Sequence, residues 1–320
     1  MTIDALLDNI VSAPVLAFVL GLLAVAVRSD LRLPEALTQS LSLYLLLAIG
    51  FKGGVALRGE AVGDVLGPVA LALALGAVVP LAAYNALRWM SRLGPVDRGA
   101  VAAHYGSTSL VTFTAAIVFL ESAGTAVPGY AATLLTVLEV PGIIVGLLLA
   151  NRHAARHVGW AGAVHEVLAG KSIVLLVGGL FIGWAVGAKG FAVVEPVFGD
   201  PFRGVLVLFL LGLGLEAGAR LRSARTAGVG LLLFAILFPL AAGALGVLAG
   251  AASGMPEGGA AVLGVLCASA SYIAAPAAVR YSLPEANSAI PLLASLGVTF
   301  PVNLVVGIPL LAQLAAHVAG

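Results

Sequence analysis

Long apolar runs follow one another from end to end of this chain, separated by short stretches that carry the charges, prolines and glycines. Each run is long enough to cross the ~30 Å hydrocarbon core of a bilayer as a helix. The pattern predicts ten spans, at 11–28, 36–57, 65–88, 99–121, 127–150, 171–190, 203–220, 226–252, 258–281 and 287–316. The longest polar connection runs from Asn151 to Gly170 and contains His153, His157, Trp160 and His165. It reads as a short interfacial helix rather than a metal site, because no second ligand cluster faces those histidines.

The polar positions repeat as well. Gly50-Phe51-Lys52-Gly53-Gly54-Val55-Ala56-Leu57-Arg58 returns 164 residues later as Gly214-Leu215-Glu216-Ala217-Gly218-Ala219-Arg220-Leu221-Arg222. Ser107-Thr108-Ser109 matches Ser269-Ala270-Ser271 at an offset of 162, and Leu138-Glu139-Val140-Pro141 matches Val298-Thr299-Phe300-Pro301 at 160. The steadily shrinking offset is what small loop deletions between related halves produce. The expected architecture is therefore a five-plus-five repeat: residues 11–150, a linker at 151–170, and residues 171–316. With an odd number of spans per half, the second half enters the membrane inverted, as in secondary transporters that bind their substrates where the halves meet.

Composition agrees with a polytopic, all-α membrane protein. Hydrophobic residues make up 61% of the chain and charged residues 10%, with a mean hydropathy of +1.12. A soluble domain carries about a quarter charged residues. A net charge of +1 without a basic tract argues against a nucleic-acid partner. Cys267 is the single cysteine, which excludes an intrachain disulfide. Asp4 and Asp8 precede any basic residue, the wrong flank for a cleaved signal peptide, so the first span is expected to be retained.

Charge also sets orientation. With the N-terminus outside, the inner loops collect Arg28, Arg32, Arg88, Arg92, Arg98, Arg152, Arg156, Lys171, Arg220, Arg222, Arg225 and Arg280, twelve cations against Lys52, Arg58, Lys189 and Arg203 outside. Both termini are expected outside the cytoplasm of an inner-membrane protein. Lys52 and Glu216 are then equivalent positions near opposite faces, so Glu216 is expected to pair with Arg220 one turn on.

Two spans carry hydroxyls beside helix-weakening residues. Span four holds His104-Tyr105-Gly106-Ser107-Thr108-Ser109, and span nine holds Ser269-Ala270-Ser271-Tyr272-Ile273-Ala274-Ala275-Pro276. Inverted symmetry brings these midpoints together. Glycine and proline loosen the helical ladder, and a half-helix N-terminus presents amide donors and a positive dipole end to an anion. Small hydroxyl residues are also ordinary packing material between membrane helices. Their recurrence at equivalent positions favours a substrate site made of Gly106, Ser107, Thr108, Ser109, Ser269, Ala270, Ser271 and Tyr272. Glu139 lies within span five, where a carboxylate costs several kcal/mol unless paired, hydrated or protonated. It is the candidate for sodium coordination or proton carriage; Thr299, its mate, and Asn303 are candidate cation ligands. His104 is read equally as a proton shuttle or a structural hydrogen bonder, and Arg280 as a snorkelling cation.

These pieces, together with Leu33-Pro34-Glu35-Ala36, Glu139-Val140-Pro141-Gly142, Asp200-Pro201-Phe202-Arg203-Gly204 and the run Arg280 to Asn287, resemble the sodium-dependent bicarbonate transporter family of the cyanobacterial type over nearly the whole chain. The resemblance implies ten spans, a trimer, and bicarbonate held by the serine-bearing breaks beside a sodium ion, with no organic cofactor. Glu139 falls where that family carries an aspartate before Ile-Pro. The span-nine break of that type reads three serines followed by Asp-Ile-Ser-Gly-Pro. Here Ala270 replaces the middle serine, Tyr272 the aspartate and Ala274 the next serine. The 151–170 linker is also shorter than in those relatives, which argues against regulation by their P-II-like partner.

Coupling has an energetic rationale: moving a monovalent anion into a negative-inside cell costs about 2.3 kcal/mol per 100 mV, and one co-transported sodium cancels that charge. The expected function is cation-coupled symport of bicarbonate or a similar small anion by alternating access. A proton-coupled carrier of another solute, with Glu139 titrating, and a transport-inactive receptor signalling through the linker remain as alternatives. An intramembrane enzyme is disfavoured, since the sequence offers no metal-ligand cluster, usable Ser–His pair or paired carboxylates.

Overall fold

The computed structural model describes residues 11–154, 160–221 and 228–320. Asp4, Asp8, Arg156, His157, Arg222, Arg225 and the first two positions of the 226–252 run lie outside the described residues. Within them the protein is helical, with no strand. The helices are α1 (Ala13–Ala26), α2 (Glu35–Leu57), α3 (Val62–Met90), α4 (Pro95–Gly106), α5 (Leu110–Ser122), α6 (Ala131–Asn151), α7 (Trp160–Leu168), α8 (Lys171–Phe198), α9 (Phe202–Leu221), α10 (Val229–Ala252), α11 (Glu257–Ala268), α12 (Ala275–Ser282) and α13 (Ala289–Val318).

Eight described stretches, counting α4 and α5 as one, are long and apolar enough to cross a membrane. The expected first and ninth spans fall short of that length for separate reasons. α1 is described over 14 residues, and the expected span 258–281 divides into α11 and α12, of 12 and 8 residues. The protein is thus a multi-pass membrane protein. The linker forms the short amphipathic helix α7. The expected span 127–150 begins later, at Ala131, because Gly124 has a positive φ of 77° and Pro128 interrupts the approach.

The expected span 171–190 continues as helix to Phe198 but bends sharply within it, at Gly187, where φ is +62°. Only glycine enters that region without a Cβ clash. The guanidinium of Arg58 closes the bend by donating to the carbonyls of Trp184 and Ala185, at 3.3 Å each. Those carbonyls would otherwise be orphaned at a helix C-terminus.

Glycines decide which helices touch. A Cβ on Gly50 would lie 2.8 Å from the Leu176 carbonyl oxygen and 3.0 Å from the Gly179 Cα, so α2 and α8 cross backbone to backbone. A Cβ on Gly214 would lie 3.1 Å from the Gly21 Cα, and α1 and α9 cross in the same way. Small residues permit such approaches, and dispersion then holds the helices together where no hydrophobic effect operates between them. Along α1 and α9 the contacts ascend together, Gly21 with Gly214 and Val25 with Gly218, so these helices are parallel. Gly50 with Gly179 and Gly54 with Trp184 make α2 and α8 parallel as well. α2 runs against α9, because Thr38 approaches Gly212 while the Lys52 ammonium sits 5.1 Å from the Phe202 ring centre.

The second group of helices holds α4 and α5 at its centre. Across Pro95–Ser122, 83% of the apolar window is buried, against 28% for both α3 and α8 at the periphery. The outer surfaces of α3 and α8 expose Leu66, Leu73, Phe181 and Val193, as lipid-facing helices do. As expected, Glu216 pairs with Arg220, at 3.0 Å.

Candidate functional site

The helix breaks at 107–109 and 269–274 cross in the interior. The Ser109 amide donates to Ser269 Oγ at 3.0 Å, and the Ser271 amide donates to the His104 carbonyl at 2.8 Å. Each break therefore supplies what the other lacks, since four amides and four carbonyls go unpaired wherever a helix is interrupted. Ser269 Oγ gives its own proton to the Leu266 carbonyl at 2.8 Å, which leaves its lone pair facing Ser109. All four break serines are buried.

Both second half-helices start at the crossing. Ser109 caps α5, its Oγ accepting from the Thr112 amide at 3.2 Å and its carbonyl from the Phe113 amide at 3.0 Å. The Leu110 and Val111 amides are left as donors at a positive helix end, the arrangement that suits an anion. The other break is more fully occupied. Ser271 Oγ accepts from Ala274 and Ala275, at 3.3 and 3.2 Å, and Pro276 has no amide proton. The first break thus keeps more open amide donors at its half-helix start than the second, among the described residues.

The remaining candidates divide. Ser107 Oγ is buried without a partner, while Thr108 Oγ1 donates to the Leu135 carbonyl of α6 at 3.2 Å. Gly106 serves packing: a Cβ there would lie 2.7 Å from both the Gly142 Cα and the Pro80 Cβ. Ala270 sits in an apolar cluster with Tyr105, Phe234 and Ala294. Tyr272 lies over the crossing, its phenol oxygen accepting from Ser109 Oγ at 3.2 Å. Its ring packs edge-on against Phe300, which packs on Phe18 of α1, at centroid distances of 5.7 and 5.2 Å.

Thr299 and Asn303 reach this region from α13, whose helical turns widen to π geometry over 293–299 and 303–307. Such turns recur at functional sites. Thr299 Oγ1 donates to the Ala235 carbonyl at 2.6 Å, so the Tyr105 hydroxyl is the donor in its 2.7 Å bond to Thr299. Asn303 Nδ2 donates to the Ala268 carbonyl, the last of α11, at 2.7 Å, and Oδ1 lies beside Gly307 with no partner. Glu139 has other company. Its carboxyl lies near Ser172, in the first turn of α8, and its Oε2 is buried without a partner among the described residues. No hydrogen bond joins it to Thr299 or Asn303 among the described residues. His104 donates from Nδ1 to the Ala100 carbonyl at 2.8 Å, which leaves a bare, buried Nε2.

Two crossed, serine-capped breaks in the interior of a helical membrane protein frame what the comparison with known families finds. Residues 13–316 match the model of the Na+-dependent bicarbonate transporter superfamily. The chain belongs to that superfamily. Among curated proteins no relative matches. In this superfamily member the sequence reading found both breaks but missed two partners. Tyr105 lies beside the first break, yet nothing local marks its bond to Thr299, 194 positions away. Ser172 was invisible as a neighbour of Glu139 for the same reason. The wide turns of α13 did leave a trace, in Pro291, Pro301 and Pro309 crowded into one span.

Proposed function

We propose that this protein is a secondary transporter that carries bicarbonate or a similar small anion together with a cation, by alternating access. The observation that carries this reading is the crossing of the two breaks, with Ser109 bonded to Ser269 and Ser271 to the His104 carbonyl. Crossed half-helices leave open amides and hydroxyls deep in the protein without burying a charge there. The anion is held at the start of α5, by the Leu110 and Val111 amides and the Ser107 hydroxyl.

The ten-span, five-plus-five inverted arrangement, 11–150 and 171–316 joined by the linker, is part of the proposal. Helix directions support it. The parallel pair α2–α8 corresponds to the parallel pair α9–α1, glycine for glycine at Gly50 and Gly214, and α2 runs against its mate α9. An inverted repeat requires that reversal, and a direct repeat forbids it. The distribution of cations along the sequence favours both termini outside the cytoplasm.

Sodium is the proposed coupling ion, with Asn303 Oδ1 and Thr299 as candidate ligands at one place and Glu139 at another. The unpaired Asn303 Oδ1 beside the second break and the unpaired Glu139 Oε2 support cation binding, since an unsatisfied buried acceptor is costly. Their different neighbours divide them between two places, Asn303 at the crossing and Glu139 beside the start of α8. A second reading has its own observation: a neutral phenol, Tyr272, occupies the crossing where the family carries an aspartate. It favours a changed coupling ion or substrate.

The test is uptake of labelled bicarbonate by cells expressing the chain, in sodium against choline medium at fixed pH. Sodium-stimulated uptake supports the first reading. Uptake indifferent to sodium removes the symport, and no uptake from protein present in the membrane removes the bicarbonate assignment.

A further inference from the structure

Helix α1 ends in a way that sequence preferences oppose. The Arg28 amide donates to the Val25 carbonyl at 3.1 Å and the Ser29 amide to the Ala24 carbonyl at 2.8 Å, closing the C-terminus in a left-handed cap. That cap places its first non-helical residue at positive φ, a position glycine normally fills. Here it is Arg28, at φ +60°, the single non-glycine residue with positive φ among those described. A backbone held in an unfavourable region points to a requirement elsewhere.

The cleft beside it supplies one. A cavity of about 580 Å³ lies between the α1–α2 loop, the start of α2 and α9, with Arg28 and Arg32 on its loop side. Neither guanidinium holds an ion pair among the described residues, with Asp30 or with any other carboxylate. Of the two carboxylates that line the cleft, Glu216 is ion-paired with Arg220 at 3.0 Å, and Glu35 accepts from the neutral amide of Gln39 at 3.0 Å and keeps its charge, so the two arginines outweigh it by one. Both guanidiniums line the cleft, and a guanidinium pairs with phosphate oxygens through two parallel N–H donors. The volume is far larger than a bicarbonate ion needs. Leu31, which lines the cleft, and Val27 and Leu37, which adjoin its lining residues Arg28 and Thr38 in sequence, are exposed, at 40%, 74% and 45%. Acyl chains fit that surface while a headgroup occupies the cleft.

We propose that this cleft binds the phosphate of an anionic membrane phospholipid, held by Arg28 and Arg32, with its acyl chains along Val27, Leu31 and Leu37. The site lies where α1, α2 and α9 meet, so an occupied cleft ties the start of α2 to the α1–α9 pair.

The test uses the full chain in detergent, with phosphatidylglycerol, phosphatidylcholine or inorganic phosphate added separately. Native mass spectrometry reads bound lipid, and thermal unfolding reads protection. Wild type is expected to retain phosphatidylglycerol at least tenfold more strongly than phosphatidylcholine, and inorganic phosphate is expected to protect weakly. R28G combined with R32A is expected to lose that retention. Because R28G relieves the positive φ, the R28G single variant is also expected to melt no lower than wild type without lipid, which separates lost binding from lost folding. Equal retention of both lipids by wild type, or undiminished retention by the double variant, overturns the proposal. Protection by inorganic phosphate equal to that by phosphatidylglycerol also overturns it, and makes the cleft a site for a soluble phosphate compound. Bicarbonate uptake enters none of these readouts, so the result stands whatever the transported substrate.

Discussion

Replacing Ser269 with alanine tests the crossing at its narrowest point. The change removes the acceptor of the Ser109 amide, 3.0 Å away, and leaves that N–H in a place sealed from water, since Ser109 and Ser269 are 3% and 1% exposed. The Leu266 carbonyl loses a hydroxyl donor but still receives the Ser269 amide at 3.2 Å, so its loss is minor. An orphaned buried donor costs ~1–3 kcal/mol. Interhelical side-chain hydrogen bonds within membranes average only about 0.6 kcal/mol and reach about 1.7, because the unfolded chain finds other partners in the bilayer. The Ser109 amide has no helical alternative at a break, which places this bond towards the upper end, at about 1–2 kcal/mol. That corresponds to roughly a 5- to 30-fold fall in the ratio of molecules with the two breaks in register to those without. Initial uptake rates of S269A, normalised to protein in the membrane, are expected to fall by up to that factor, with a lower unfolding temperature in detergent. S269T keeps the oxygen and is expected to retain more activity than S269A. Uptake and unfolding of S269A indistinguishable from wild type would show that this bond does not hold the crossing together, and the reading of the site would fail with it.

Three other changes probe separate links. E139Q keeps the shape of the side chain and its contact with Ser172 but removes its charge; sodium-stimulated uptake is expected to drop at least tenfold (about 1.4 kcal/mol or more in coupling), and undiminished stimulation excludes Glu139 from the cation site. Y272F deletes the oxygen that accepts from Ser109 and is expected to raise the half-saturating bicarbonate concentration several-fold, or about 1 kcal/mol for one hydrogen bond; an unchanged value places the phenol outside the substrate path. G50L drives a side chain into the Leu176 carbonyl, where overpacking costs ~1–3 kcal/mol; monodisperse protein on size exclusion should fall sharply against G63L, whose site has nothing within 4 Å, and equal yields would deny the α2–α8 crossing its close approach.

The two breaks were legible because they depend on local chemistry. Gly106 before three hydroxyl residues, and Ser271 ahead of Pro276, loosen the helical ladder through their own backbone and side-chain chemistry. The i,i+4 pair of Glu216 and Arg220 was legible for the same reason, being set by one turn of one helix. Glu139 shows where such reading stops. Its mid-span position and burial cost made it a functional candidate, and its alignment with Thr299 suggested a shared ion site. Alignment between repeats gives equivalence under symmetry, which carries no information about contact. In the folded chain the polar neighbour of Glu139 is Ser172, and Thr299 is bonded to Tyr105 and Ala235.

By itself, then, the amino-acid sequence determined a multi-pass helical membrane protein, the places where its helices break, and its family. Those features follow from hydrophobic length, from residues that lack an amide proton or a Cβ, and from motif order, each of which acts within a few residues of itself. Tertiary structure alone decided that the breaks are bonded to one another, that Tyr272 covers Ser109, and that Arg28 and Arg32 share a cleft. The physical reason is range. Hydrogen bonds and steric contacts act over a few ångströms, and residues more than a hundred positions apart come within that distance only after the helices have packed.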